Sequence, residues 1–404
     1  MQKKICFFGH FGSSNFGNEI TLQTVLYHVR RLLPKAEVAC ICTGPEALAA
    51  TQKIETIPIR RVIVRPSNPR TRFGRLLRKI FIEIPTEPCR WLDAFRTLKG
   101  VKMLVIPGTG LLTDAYGLLE WGPYNLFKWS LMARACRCKL LFVSVGAGPL
   151  HGTLGRFLVR SALSLAHFRS YRDVTSMDYL KSIGFRANGD RVYPDLVFSL
   201  PETMRLHDGD KRSGRVVVGL GLMGYAGKYR VANPNDITYQ KYLDNLVIFA
   251  GWLLAHDYDI RLLLGEAGEW TVLQEFKSRL KARLGAYDEE RIVDEPARSV
   301  QELLSQLVAT DIVVATRFHN VLLALVLNKP VIAISFHHKS VSLMNDMGLA
   351  EYCHDIDCMN ASRLIEQFQD VAKNAEKLKP VIRQRVEASR KALDEQYDLI
   401  FKSI

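Results

Sequence analysis

Along this chain short β-branched apolar runs recur, each closed by a polar, often glycine-bearing loop and followed by a helical pattern; this alternation constrains the fold most tightly. Strands this continuously apolar are buried on both faces, as in parallel sheets covered by helices. In the first half the runs fall at residues 4–9, 37–42, 102–106, 139–145, 168–171 and 191–193. A second series begins at Arg215-Val-Val-Val-Gly-Leu-Gly and continues at 259–265, 310–316 and 330–335. Between the two series, residues 201–214 are polar and aperiodic, the signature of a linker. A chain of 404 residues also exceeds what one core accommodates. The expected class is therefore α/β: two Rossmann-like doubly wound domains facing a cleft, 1–200 and 215–360, followed by a charged, glycine-free helical tail at 361–404. Ligands of such sheets bind at the carboxyl ends of the strands.

No apolar run reaches the roughly 18 residues of a membrane span. The opening MQKKICFFGHFG reads as a buried first strand and a glycine turn rather than a signal peptide. Eight cysteines without dense spacing point to a reducing compartment, so a cytoplasmic location is expected. Cys353-His354 with Cys358 lacks a second ligand pair, and no metal site is expected there. Nor does a G-x-S-x-G elbow appear.

The net charge of +14 is uneven. Residues 60–102 hold 12 basic and 3 acidic side chains, +9 in one stretch. Within it Phe73, Leu76, Leu77, Ile80 and Phe81 recur at helical spacing among Arg72, Arg75, Arg78 and Lys79. Two readings fit: a helix lying on an anionic bilayer, at about 1 kcal/mol per basic residue, or a core helix with a solvated basic face. No nucleic-acid motif accompanies the charge, and no nucleic-acid partner is expected.

Four loops at strand ends carry the candidate chemistry. Gly9-His-Phe-Gly-Ser-Ser-Asn15-Phe-Gly17-Asn18-Glu19 exposes backbone N–H groups at a helix start, where an anion is favoured, but lacks the G-x-G-x-x-G spacing of dinucleotide binders. An Asn-capped βα turn is its plainer explanation. Pro107-Gly108-Thr109-Gly110 lets a ligand approach the backbone, with Thr109 or Asp114 placed for a sugar hydroxyl and a helix cap as the alternative. Arg172-Asp173 closes another strand, either a bidentate anion site or a local ion pair. The fourth block is richest: Arg317-Phe-His319-Asn320, an apolar helix at 321–327, and Ser335-Phe-His337-His338-Lys339 after the next strand. Arg317 and His319, two apart at a strand end, are expected on one face, joining a permanent cation, a titratable group and a helix dipole.

Together these blocks resemble the polysaccharide pyruvyltransferase superfamily. Its loop G-N-x-G-D-E reads Asn15-Phe-Gly-Asn-Glu19 here, its S-x-R-D reads Ser170-Tyr-Arg172-Asp173, and its P-D segment reads Tyr193-Pro-Asp195. Its R-L-H, G-x-P-V and loop lysine read Arg317-Phe-His319, Lys329-Pro-Val-Ile and Lys339. Asn18 stands where the family has an acid, and Phe318 where it has leucine. The resemblance implies a GT-B-like fold and transfer of pyruvate from phosphoenolpyruvate onto two hydroxyls of a sugar as a cyclic ketal, releasing phosphate. It implies no cofactor beyond this co-substrate. Arg317 and His319 become the catalytic candidates, with Lys339 and Arg172 on the donor's anionic groups. Asn15, Gly17, Asn18, Glu19, Gly108, Thr109, Gly110, Asn320 and His338 become substrate-binding candidates. The N-terminal domain is expected to take the saccharide acceptor, and a lipid-linked one would account for stretch 60–102 and place the enzyme at the inner face of the cell membrane. Two rivals are a nucleotide-sugar glycosyltransferase, with Glu266 and Glu269 holding a ribose, and a non-catalytic membrane-associated scaffold or saccharide-binding protein.

Overall fold

The computed structural model describes residues 3–13, 15–62, 83–115, 117–205, 214–224 and 236–402. The amphipathic stretch at 72–81 lies outside the described residues. The chain forms two compact units. One comprises Met1–Ser13, Thr21–Leu196 and Gln396–Ile404; the other comprises Ser14–Ile20 and Val197–Glu395.

The first unit is built on a parallel sheet of β1 (Lys4–Gly9), β2 (Glu37–Cys42), β3 (Glu55–Pro58), β4 (Met103–Pro107), β5 (Lys139–Val145), β6 (Phe168–Tyr171) and β7 (Arg191–Val192). The strand order β3-β2-β1-β4-β5-β6-β7 reverses between β1 and β4, the doubly wound arrangement. Helices α1 (Phe16–Leu32) and α2 (Pro45–Gln52) connect the first three strands. Helices α3 (Ile84–Leu98), α4 (Pro123–Ala135), α5 (Thr153–Ser164) and α6 (Val174–Ser182) follow. Ala94 and Leu98 of α3, Leu126 and Trp129 of α4, Val159 of α5 and Leu180 of α6 join Cys6, Phe8, Leu104, Ile106 and Phe142 of the strands in one core. Continuous apolar runs in β1, β4 and β5 thus serve a sheet with no solvated face.

The second unit holds β8 (Val217–Leu222), β9 (Asp259–Leu264), β10 (Ile292–Val293), β11 (Ile312–Ala315), β12 (Val331–Ser335) and β13 (Cys353–Asp355), parallel and ordered β10-β9-β8-β11-β12-β13. Its helices are α7 (Glu202–Arg205), α8 (Ile237–Ala255), α9 (Trp270–Leu284), α10 (Val300–Val308), α11 (Phe318–Val326), α12 (His338–Asp346) and the 41-residue α13 (Ala361–Phe401). Central β8 alternates Gly219 and Gly221 because it is crowded: a Cβ at Gly221 would lie 2.7 Å from the Ala315 Cβ, and one at Gly219 2.9 Å from Leu263 and Thr310.

All ten expected runs are strands; β3, β10 and β13 are additional. The expected division at 1–200, 215–360 and 361–404 differs from the observed units in three ways. Residues 14–20 belong to the second unit, the first ends at Leu196, and the end of α13 belongs to the first. Gln396 explains the last: its Oε1 accepts from Ser170 Oγ at 2.7 Å, its Nε2 donates to Ser144 Oγ at 3.0 Å, and Tyr397 stacks on buried His28 at 4.4 Å.

Candidate active site

Strand β11 is fully buried and ends at Ala315; Thr316 follows, its hydroxyl 2.9 Å from that of Tyr242. Arg317 then takes an extended conformation (φ −70°, ψ 127°) as the N-cap of α11, and His319 lies in the first helical turn. The two are therefore not alternate positions of a strand, as the spacing suggested. Their side chains are placed by separate neighbours. The helix itself is pinned by its apolar body, since every residue from Asn320 to Val326 is buried.

Arg317 faces two carboxylates. Its Nε donates to Glu269 Oε1 at 2.7 Å, and its Nη2 donates to Glu266 Oε2 at 2.9 Å and lies 2.6 Å from Glu269 Oε1. Its Nη1 makes no hydrogen bond among the described residues. Gly265 makes room for this: a Cβ there would lie 2.8 Å from the arginine's Cγ. Burial works against the charged guanidinium, yet Glu269 and then Glu266 hold its pKa above the ordinary arginine value. Glu269 is buried, and its oxygens also accept from the N–H groups of Gly265, Glu266 and Gly224. Glu266 and Glu269, the residues offered for a ribose in the glycosyltransferase reading, both hold Arg317. The permanent cation expected at Arg317 is present, and two carboxylates hold it.

The glycine loop meets this cluster within the second unit. Asn15 caps α1, its Oδ1 and backbone oxygen both accepting from the Asn18 N–H, while its Nδ2 donates to Glu266 Oε1. Asn15 and Glu266 also pair as an isolated antiparallel bridge. A Cβ at Gly17 would sit 2.0 Å from His319 Nδ1, so only glycine lets the imidazole lie this close to the loop. Asn18 and Glu19 are half-buried in the first turn of α1. The loop expected on the acceptor side of an N-terminal domain thus belongs to the same unit as His319. Asn320 is wholly buried, and its side-chain amide has no hydrogen-bond partner among the described residues.

Lys339 and His338 begin α12, which packs beside α11. His337 caps α12, its Nδ1 accepting from the Lys339 N–H at 3.4 Å, and its ring lies 4.0 Å from that of exposed His338. Lys339 is half-buried.

The other candidates lie in the first unit. Arg172 is nearly enclosed and faces two aspartates, with Nε 3.4 Å from Asp173 Oδ2 and Nη1 3.4 Å from Asp195 Oδ2. A Cβ at Gly146 would fall 2.7 Å from its Nη2. Asp173 caps α6 through the Ser176 N–H. Burial would raise its pKa, but Arg172, Thr175 and Ser176 together hold it below the usual carboxylate range. Asp195, not expected in a site, therefore ties the Pro-Asp segment to the Arg-Asp strand end; an acid in that quoted segment was the available signal. Gly108 approaches the Ser144 carbonyl, where a Cβ would come within 2.8 Å. Thr109 beside it is buried, its hydroxyl without a partner among the described residues; Gly110 is half-buried. Asp114 serves the start of α5: its Oδ2 accepts from the His151 and Gly152 N–H groups ahead of that helix.

The sequence model of the family described as polysaccharide pyruvyl transferase matches residues 15–338. The amylovoran biosynthesis protein AmsJ of Erwinia amylovora is 27% identical over 89 residues, 22% of this chain and 21% of AmsJ. The chain thus matches about a fifth of that relative's length. Among solved structures, a candidate UDP-N-acetylglucosamine 2-epimerase from Listeria monocytogenes superposes with a TM-score of 0.65 at 10% identity, covering 100% of this chain and 98% of that one. A glycosyltransferase from Rickettsia africae gives 0.58 at 13% identity, covering 100% and 98%. Anabaena HepE, in complex with UDP and glucose, gives 0.54 at 15% identity, covering 98% and 99%. At such identities the likeness is one of fold: two Rossmann-like domains of the GT-B kind.

Proposed function

Because the chain belongs to the polysaccharide pyruvyl transferase family, we propose that it moves pyruvate from phosphoenolpyruvate onto two hydroxyls of one sugar, forming a cyclic ketal and releasing phosphate. A proton is delivered to C3 of the enolpyruvyl unit, making the methyl group and leaving C2 oxocarbenium-like. Two sugar oxygens bond to C2, and the phosphate departs with the electrons of its C2–O bond. Of the two hydroxyl protons, one replaces that delivered to C3 and the other goes to phosphate. Phosphate is the leaving group, so these steps call for no nucleotide or redox cofactor.

The observation that carries this reading is the gathering of His319, Arg317 and the Asn15–Glu19 loop in one unit. His319, at the positive end of α11, is the proposed general acid/base. Its ring is fixed against Gly17, and a preset orientation is what proton transfer requires. The α11 N-terminus, Lys339 and the Nη1 arm of Arg317 are the proposed donors to the carboxylate and phosphate. Glu266 and Glu269 aim Arg317 and temper its charge, so it guides the anion without trapping released phosphate. We assign the acceptor to a lipid-linked saccharide class and the site of action to the cytoplasmic face of the membrane, on the basic stretch 60–102.

Thermal unfolding with added ligand tests the donor. Phosphoenolpyruvate at ~100 times its Kd should stabilise the protein by about 2.7 kcal/mol, with UDP, GDP and CMP inert. His319→Asn should keep that stabilisation while turnover falls roughly 10²–10⁴-fold. Loss of donor binding with turnover per bound donor intact would make His319 a binding residue. Stabilisation by a nucleotide alone would replace this reading with nucleotide-sugar glycosyl transfer.

A further inference from the structure

A second charge asymmetry lies beyond residues 60–102. From Trp121 through Arg172 the sequence contains no Asp or Glu but eight basic residues: Lys128, Arg134, Arg137, Lys139, Arg156, Arg160, Arg169 and Arg172. With the +9 of residues 60–102, these two stretches carry +17 against +14 for the whole chain, leaving the remainder at −3. The second stretch builds α4 and α5, adjacent on one face of the first unit's sheet.

Helix α5 (TLGRFLVRSALS) has more apolar surface than its packing needs. Gly155, Leu158, Val159, Ala162 and Leu163 make the buried stripe at helical spacing. Leu154 and Phe157 point outward all the same, 53% and 60% exposed. Phe157 overhangs an open groove of about 610 Å³ with Phe127 and Leu131 of α4 and a floor at Phe185. Arg160 and Arg186 also line it, with serine hydroxyls and no acidic side chain. Neither arginine makes an ion pair among the described residues. The neighbouring α3 repeats the pattern, with Ile84, Leu92 and Phe95 exposed alongside Arg96 and Lys99. An exposed apolar patch with predominantly basic charge around it, the acids Glu87 and Asp93 of α3 being half-buried and ion-paired, matches one surface chemically: apolar beneath and anionic at the headgroups.

We propose that the α3–α5 face of the first unit docks on an anionic phospholipid bilayer, with Leu154 and Phe157 entering the interface and Arg160 and Arg186 meeting lipid phosphates. This is independent of the donor assigned above; α3 and Lys99 lie within the basic stretch 60–102 on which the membrane site of action rests, whereas Leu154, Phe157, Arg160 and Arg186 lie outside it. The full-length protein should co-sediment with phosphatidylglycerol-containing vesicles and not with pure phosphatidylcholine, and the binding should weaken as salt rises. Each basic residue at the surface is worth about fivefold in partition, so Arg160→Gln with Arg186→Gln should weaken binding by over an order of magnitude. Leu154→Ser with Phe157→Ser should cost at least ~10-fold, since these side chains leave water on docking. All four residues are exposed, so the melting temperatures should match wild type and separate lost docking from lost folding. Absence of anionic-vesicle binding would overturn the proposal. So would binding that either double variant leaves intact, or a solution dimer that the Leu154/Phe157 variant dissociates while vesicle binding persists.

Discussion

Two arginines, one in each unit, are each held by two carboxylates, and the arrangements differ in how far they are closed to water. The side chain of Arg172 is 4% exposed, and its partners Asp173 and Asp195 are 7% and 3% exposed. The side chain of Arg317 is 24% exposed; Glu269 is as closed as the aspartates, but Glu266 is 37% exposed. In the first cluster the two buried carboxylates share one buried cation, whose removal leaves both without that compensation. The second has a closed side, where Glu269 binds backbone N–H groups, and an open side, where Glu266 reaches Asn15. A closed knot holds a fold together, whereas a half-open one can answer a ligand.

The largest expected effect follows directly. Arg172→Met removes the cation from beside two buried carboxylates and should cost about 3–5 kcal/mol in urea unfolding, with Arg317→Met costing less than half as much. Equal losses would erase the distinction. Gly17→Ala comes next and should act on the chemistry instead: its methyl would overlap His319, and a misplacement of about 1 Å lowers turnover on the order of 10²-fold. A variant with full activity would show that the ring need not lie against the loop. The closed knot should also be acid-sensitive. The Asp173 pKa is depressed on folding, so its contribution is present above the ordinary carboxylate pKa and lost as pH falls through the folded value. Asp173→Asn should flatten that part of the stability–pH curve, and an unchanged acid limb would remove Asp173 from it. Glu266→Gln is the mildest: a half-exposed partner contributes about 0–1 kcal/mol to stability, so any marked change should be in steady-state kinetics.

Much of the architecture was legible because long central strands announce themselves. β1, β5 and β9 bury five or six consecutive residues and carry enough apolar sequence to be read alone. Edge strands β10 and β13, of two and three residues, hold no period to detect and exist through their neighbours. The site was legible in its residue types and not in its pairings. Arg317 and His319 stood out as a basic pair beside a helix, but Glu266 and Glu269 arrive from a different βα turn, and only the fold brings them to the guanidinium. Likewise Gly17 was visible as part of a flexible loop, whereas its steric reason, an imidazole from α11, belongs to three dimensions.

The exchange of short segments between the units bears on how the protein is made. Gln396 and Tyr397 close the first unit at Ser144, Ser170 and His28, although nearly two hundred residues of the other unit are translated in between. The nascent amino-terminal half therefore leaves the ribosome unfinished, its buried serines and His28 waiting for the last helix. It must remain competent while those residues of the other unit are made, a period in which exposed sheet surface invites aggregation. For the same reason no single proteolytic nick can release either unit intact, and the two should be gained and lost as a single cooperative inheritance.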